Sequence, residues 1–160
     1  MFRCNMVKVT YIILFVVAVS LSSVQADDKN SKPEFNLDTI AFECAQKFDI
    51  SKEQFSKAIM TFDASVLAPC FWKCCFMKVR VLNSEGQYDF DTTLNLAKDI
   101  FKNKDKQYEM VEEILKKCVS VNDESVSDGN AGCERSSLLA SCMLENAKKT
   151  FTIPSRPTVI

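Results

Sequence analysis

The sequence predicts an all-α fold in which disulfide bonds lace about six helices together. Three observations predict it. Six of the eight cysteines in this 160-residue chain lie in segments whose apolar residues recur at helical spacing. The three glycines all fall in two segments with the composition of loops, and the alternating pattern of strands is essentially absent.

The first 26 residues are predicted to be a secretory signal peptide. Arg3 and Lys8 precede an apolar run over residues 9–21, and Val24-Gln25-Ala26 offers the small residues of a cleavage site. A single membrane anchor is the alternative, although the run is short for a span of about 20 residues. Cleavage leaves a secreted, mildly acidic domain with seven cysteines and a formal charge of −3. This composition lacks the excess of basic residues typical of nucleic-acid-binding proteins, and it does not favour stable membrane insertion.

The first three helices are predicted between residues 37 and 82. The first carries an apolar stripe at Leu37, Ile40, Ala41, Cys44, Ala45 and Phe48. Ser51 and Gln54 have the spacing of a capping box, which starts a second helix bearing Phe55 and Ile59. The third begins near Pro69 and runs to Leu82; because it is apolar on nearly every side, it is expected to be the buried central helix.

Three further helices follow a turn at residues 83–86. The fourth has Asp91 as a plausible N-cap and a stripe at Phe90, Leu94, Ala97 and Phe101. The fifth has favourable pairs of Glu with Lys four residues later, and a stripe at Tyr108, Val111, Leu115 and Cys118. After a polar loop at 122–132, the sixth carries Leu138, Leu139, Cys142 and Met143. The helical domain is placed at 27–150, and two prolines predict an extended tail over 151–160, either frayed or lying across the domain as a lid.

Helical geometry limits how the cysteines can pair. Cys70 and Cys74 share one helix face with Cβ atoms about 5–6 Å apart, which is too far for a disulfide, so each should bond a different partner. Cys133 and Cys142 are about half a turn out of phase and point at different neighbours. Sequence alone still allows about 15 pairings of six cysteines.

Two cysteine elements resemble those of a known family. Cys70-Phe-Trp-Lys-Cys74 and the eight-residue gap between Cys133 and Cys142, in this order in a secreted helical chain, resemble the insect odorant-binding proteins of the pheromone-binding and general-odorant-binding class. The resemblance covers about residues 35–149. It implies the disulfides Cys44–Cys74, Cys70–Cys133 and Cys118–Cys142, and an apolar cavity enclosed by the helices.

Cys75 makes the number of cysteines odd. It lies about 100° around the helix from Cys74 and cannot share its bridge partner. We expect a free thiol packed as a small apolar residue, because free cysteine is among the most buried residue types. A disulfide-linked homodimer and a reactive functional thiol are the alternatives.

The residues that are missing exclude most enzyme classes. The chain has no histidine, which removes Ser-His and Cys-His nucleophile pairs, imidazole zinc sites and histidine acid–base catalysis. It contains no Gly-rich phosphate loop and no calcium-loop spacing. Cysteines of a secreted chain serve better as disulfides than as metal ligands. We therefore expect neither an enzyme nor a bound metal or cofactor.

The family resemblance implies a carrier of small hydrophobic, semi-volatile ligands such as odorants or pheromones, with an odorant receptor or a second copy of the chain as possible partners. Side chains expected to line its cavity, with Tyr108 as a polar anchor, are Phe55, Trp72, Phe76, Phe101, Tyr108, Val111, Leu115, Leu139 and Met143. A carrier of hydrophobic signals or toxins in haemolymph, saliva or reproductive fluid is the main alternative. A saposin-like lipid module is disfavoured because its cysteines are spaced differently.

Overall fold

The computed structural model describes residues 37–152, and this part of the chain forms six α-helices without a strand. The helices are α1 Leu37–Lys47, α2 Lys52–Thr61, α3 Pro69–Lys78, α4 Phe90–Ile100, α5 Asp105–Lys117 and α6 Cys133–Thr152. Short 3-10 turns lie at Ala64–Val66, Val119–Asn122 and Gly129–Ala131. The predicted all-α fold with about six helices is confirmed.

Three disulfides connect four of these helices. Cys44–Cys74 joins α1 to α3, Cys70–Cys133 joins α3 to the first residue of α6, and Cys118–Cys142 joins the end of α5 to the middle of α6. This is the pairing that the family resemblance implies. Helices α3 and α6 each take part in two of the three bonds, so they form the covalently braced centre of the fold.

The core is densest where α3 packs against α6. Phe71 and Trp72 of α3 and Leu139 of α6 are fully buried there. Phe71 also meets the ring of Phe55 on α2 edge to face, at 5.9 Å between centroids. Helix α2 reaches the core through this ring contact and otherwise packs mainly on the 3-10 turn Ala64–Val66. Helix α3 is the central helix that its apolar sequence predicts.

Side-chain caps explain where α2 and α4 begin. The predicted capping box is present at α2, where Gln54 N–H donates to Ser51 Oγ and Ser51 N–H donates to Gln54 Oε1. At α4 the cap is Asp89 instead of the predicted Asp91: its carboxylate accepts from Thr92 N–H at 3.0 Å. Asp91 lies in the first turn, where its charge still suits the positive end of the helix dipole.

Helix α3 ends at Lys78, four residues before the predicted end at Leu82. Arg80 adopts the left-handed conformation with φ 58°, and its N–H donates to the Met77 carbonyl. Val81 N–H donates to the Phe76 carbonyl at 2.9 Å, which completes a Schellman motif. The apolar run continues past this stop because Val81 and Leu82 are buried in extended chain instead of helix.

The link from α3 to α4 is fastened to the start of α6 and the end of α5. Gly86, with φ 72°, packs so closely on Gly132 that a Cβ at position 86 would lie 3.0 Å from the Gly132 Cα. Asn122 pairs with the backbone of Tyr88 through both amide atoms, at 2.8 and 2.9 Å. These contacts hold the segment from which α4 starts.

The predicted domain boundaries lie close to or beyond the limits of the described residues. The predicted signal peptide, residues 1–26, lies outside the described residues. Helix α6 extends to Thr152, two residues into the segment expected to be an extended tail, and residues 153–160 lie outside the described part of the chain.

Candidate functional site

A cavity lies between five of the six helices. Its empty space amounts to about 700 Å³ when the open solvent at its mouth is included. Its lining residues are Leu37, Ile40, Ala41, Trp72, Cys75, Phe76, Val79, Val81, Thr93, Leu96, Ala97, Ile100, Val111, Leu115 and Met143. These side chains are almost all apolar, so the cavity suits a hydrophobic molecule.

One wall is aromatic and comes from α3. The rings of Trp72 and Phe76, four residues apart on one helix face, stack with centroids 6.2 Å apart. Trp72 donates its indole N–H to the Ala64 carbonyl at 3.0 Å, so the polar edge of the ring is satisfied by the protein. Helix α1 is held against this wall by Cys44–Cys74 and by the ion pair of Lys78 with Glu43.

The opposite wall is aliphatic and comes from α4 and α5. Thr93, Leu96, Ala97 and Ile100 recur at helical spacing on α4, and Val111 and Leu115 lie one turn apart on α5. The Thr93 hydroxyl donates to the Asp89 carbonyl at 2.7 Å. The hydrogen of this hydroxyl is therefore not available to a ligand.

Cys75 is the unpaired cysteine of the described chain, and it is half-buried on the cavity wall. Burial raises the pKa of its thiol to about 12, against a smaller opposite effect of the Lys78 charge. Only the thiolate is a strong nucleophile, so near neutral pH this side chain acts as a small, polarisable apolar group.

Five of the nine side chains expected to line a cavity do so: Trp72, Phe76, Val111, Leu115 and Met143. The other four do not line it. The ring of Phe55 contacts the ring of the buried Phe71, and Phe101 and Leu139 are buried in the surrounding core. Tyr108 is half-buried near the start of α5, so it is not the polar group of this cavity.

Sequence reasoning missed ten lining residues, and most of them come from α1, the α3–α4 link and α4. Helical stripes identified Ile40, Ala41 and Ala97 as inward-facing, but a stripe does not separate core from cavity wall. Val79 and Val81 were assigned to the helix interior, whereas the Schellman turn at Arg80 directs them to the cavity.

Among residues 37–152, no helix is long and apolar enough to cross a membrane. The same residues contain no group of three or more Cys, Asp or Glu side chains that could hold a metal ion.

Comparison with known proteins identifies the family. A sequence profile of the PBP/GOBP family matches residues 27–146. The chain belongs to this family. PBP/GOBP proteins are soluble, secreted, non-enzymatic binding proteins.

A solved structure shows the same fold. Odorant-binding protein dmelOBP28a from Drosophila melanogaster is similar with a TM-score of 0.51 and 17% sequence identity, over 72% of this chain and 92% of that one. At this identity the likeness concerns the fold alone. No curated protein sequence matches the chain significantly.

Proposed function

We propose that this protein is a secreted carrier that binds one small hydrophobic, semi-volatile molecule, an odorant or pheromone, in the cavity between α3 and α4 and transports it through aqueous lymph. Membership of the PBP/GOBP family supports the carrier role. The observation that carries the proposal is the cavity itself, which is lined by the aromatic wall of α3 and the aliphatic wall of α4 and α5.

The fold explains how a small secreted domain can keep such a cavity open. Empty apolar space costs stability because the lining side chains lose packing partners. Each disulfide stabilises the folded state by a few kcal/mol, chiefly by restricting the unfolded chain. Three of them join α1, α3, α5 and α6, all of which border the cavity.

A displacement titration tests the proposal. The purified, delipidated protein should bind the fluorescent dye N-phenylnaphthylamine at one site per chain with roughly micromolar affinity. Apolar volatiles should displace the dye, and the emission of Trp72 should change because this residue is the single tryptophan and lines the cavity. Absence of displacement by chemically diverse apolar compounds would refute the carrier function.

The fluid in which the carrier acts is tested separately. Immunolocalisation should place the protein in the lymph of olfactory sensilla. If it were found in haemolymph, saliva or reproductive fluid instead, the same cavity would serve a carrier of hydrophobic signals or toxins.

A further inference from the structure

We infer that Thr93 is the polar anchor of the cavity and that its oxygen accepts a hydrogen bond from the ligand, so that among volatiles of one carbon skeleton the protein prefers alcohols to ketones. This inference rests on the proposed carrier function and specifies its ligand class. It follows from a difference between the donors and the acceptors of the wall: the donors are used within the protein, whereas the Thr93 oxygen keeps room for a partner.

Thr93 differs in chemistry from its neighbours on the wall. Among the described lining residues it is the one whose side chain carries oxygen; the others present hydrocarbon, an indole or sulfur. Thr93 is only 6% exposed and lies one turn before Ala97 on the inner side of α4. A ligand in the cavity therefore meets this oxygen with little competition from bulk water.

The Thr93 hydroxyl acts as a donor toward the protein and so can only accept from a ligand. Its hydrogen is donated to the Asp89 carbonyl at 2.7 Å. A hydroxyl oxygen has two lone pairs. The Tyr88 phenol lies within hydrogen-bonding reach of Thr93 and can fill at most one of them, and the Tyr88 O–H also lies 3.5 Å from the Leu115 carbonyl. At least one lone pair of Thr93 is left for a ligand donor.

The strong donors of the aromatic wall and of the extended chain after it are used within the protein. The Trp72 indole N–H is donated to the Ala64 carbonyl at 3.0 Å, and the Val81 N–H is donated to the Phe76 carbonyl at 2.9 Å. The Cys75 thiol is a weak donor. A ligand carbonyl oxygen therefore finds no partner on these groups that matches the water it leaves.

This asymmetry predicts which polar ligands recover the cost of desolvation. Alcohols and ketones both lose hydrogen bonds to water when they enter an apolar cavity. The alcohol O–H regains a bond at the Thr93 oxygen, whereas the ketone has no hydrogen to donate. One neutral hydrogen bond of this kind should favour the alcohol about tenfold.

The test compares menthol and menthone, an alcohol and a ketone with the same carbon skeleton, by displacement of N-phenylnaphthylamine from the full secreted protein. Menthol should bind about tenfold more tightly than menthone. If menthone binds as tightly as menthol, the inference is wrong while the carrier function stands. The same holds if neither displaces the dye while other apolar volatiles do; if no apolar compound displaces it, both are wrong.

Substitutions at Thr93 separate the anchor from a difference in hydrophobicity between the two ligands. Thr93→Val keeps the shape of the side chain and removes the oxygen, and the Asp89 carbonyl still accepts the backbone N–H of residue 93 at 3.0 Å. Menthol affinity should fall about tenfold, whereas menthone affinity should stay unchanged and so show that the cavity is intact. Thr93→Ser retains the oxygen and should retain the preference for menthol.

Thr61→Val is the matched control. The Thr61 hydroxyl donates to the Lys57 carbonyl four residues earlier at 2.7 Å, as Thr93 does to Asp89, but Thr61 is exposed on α2 and does not line the cavity. This variant should bind both ligands as the wild type does. A preference for menthol that survives in Thr93→Val, or an equal loss in Thr61→Val, would overturn the role of Thr93.

Discussion

The α3–α6 pair and helix α4 both border the cavity, but different kinds of bond hold them in place. Helices α3 and α6 pack on each other, and disulfides join them to one another and to α1 and α5. Helix α4 contains no cysteine. It packs against α5 and is fastened at its start by the Tyr88–Asn122 pair and the contact of Gly86 with Gly132.

The difference separates two tasks of a ligand carrier: keeping the shape of the cavity, and letting the ligand enter and leave. The disulfide-linked wall keeps a constant shape because its helices are tied together even in partly unfolded states. The α4 wall is held by packing and hydrogen bonds, which open locally at a lower free energy. Ligand entry and exit are therefore expected to involve α4 more than α3 or α6.

The largest effect should follow removal of the bond between the two braced helices. Replacing both Cys70 and Cys133 by alanine opens a loop of 63 residues and should lower the free energy of unfolding by about 4 kcal/mol. Urea denaturation measures the change. Cys75→Ala on the same helix removes an unbridged cysteine and should cost only about 1 kcal/mol. Equal midpoints for the double variant and the wild type would show that the bond does not brace the fold.

A smaller and local effect is expected at the α4 wall. Asn122→Ala leaves the Tyr88 N–H and carbonyl without partners and should lower the free energy of unfolding by about 2 kcal/mol. In the Asn122→Ala variant, hydrogen exchange followed by mass spectrometry should show that exchange is accelerated, relative to the wild type, more in α4 than in α3 and α6. Asn95→Ala, on the exposed side of α4, is the matched control and should leave exchange unchanged. Uniform acceleration throughout the domain would argue against an independently opening wall.

The turn between the two walls offers a stabilising change. Arg80 is exposed and holds the left-handed conformation, with φ 58°, that favours glycine. Arg80→Gly should raise the free energy of unfolding by about 1 kcal/mol, whereas Arg80→Ala should give no gain. The urea midpoints of the two variants measure these changes. A loss of stability in the glycine variant would show that the backbone of Arg80 is not strained.

The smallest effect concerns pH. Hydrogen bonds from Ser65 and Lys117 hold the pKa values of Asp63 and Glu113 below the usual range of carboxyl groups, and both lie on the exposed surface. A lowered pKa adds stability that is present above about pH 4 and lost as pH falls further.

The chain has no histidine. Ligand affinity should therefore stay flat between about pH 7.5 and 6 and fall only below about pH 5, which a dye titration at each pH checks. A sharp loss near pH 6.5 would contradict it.

The sequence predicted the cavity-lining residues of α3, α5 and α6 better than those of α4. Cysteine spacing and apolar stripes mark the helices that carry Trp72, Val111 and Met143, and the capping box at Ser51 marks the start of α2. The end of α3 was missed because the left-handed residue is Arg80, which has no turn signature, and because the buried chain after it is as apolar as a helix.

The cavity wall was predicted only in part because periodicity shows which side of a helix faces inward, not what it faces. Phe55 and Leu139 face inward and contact core side chains, whereas Ile40 and Ala97 face inward and meet empty space. The distinction depends on how the helices pack around the cavity. That packing is set by contacts distant in sequence, such as Asn122 with Tyr88.

The most direct test of the account fills the cavity from the α4 wall. In isothermal calorimetry with an apolar ether, the wild-type protein should bind one ligand per chain with roughly micromolar affinity. Ala97→Phe places a ring in the cavity and should weaken binding at least about tenfold. Leu138→Phe, on the exposed side of α6, is the control for added bulk and should bind as the wild type does. If Ala97→Phe folds and binds the ether with unchanged affinity, the ligand does not occupy this cavity.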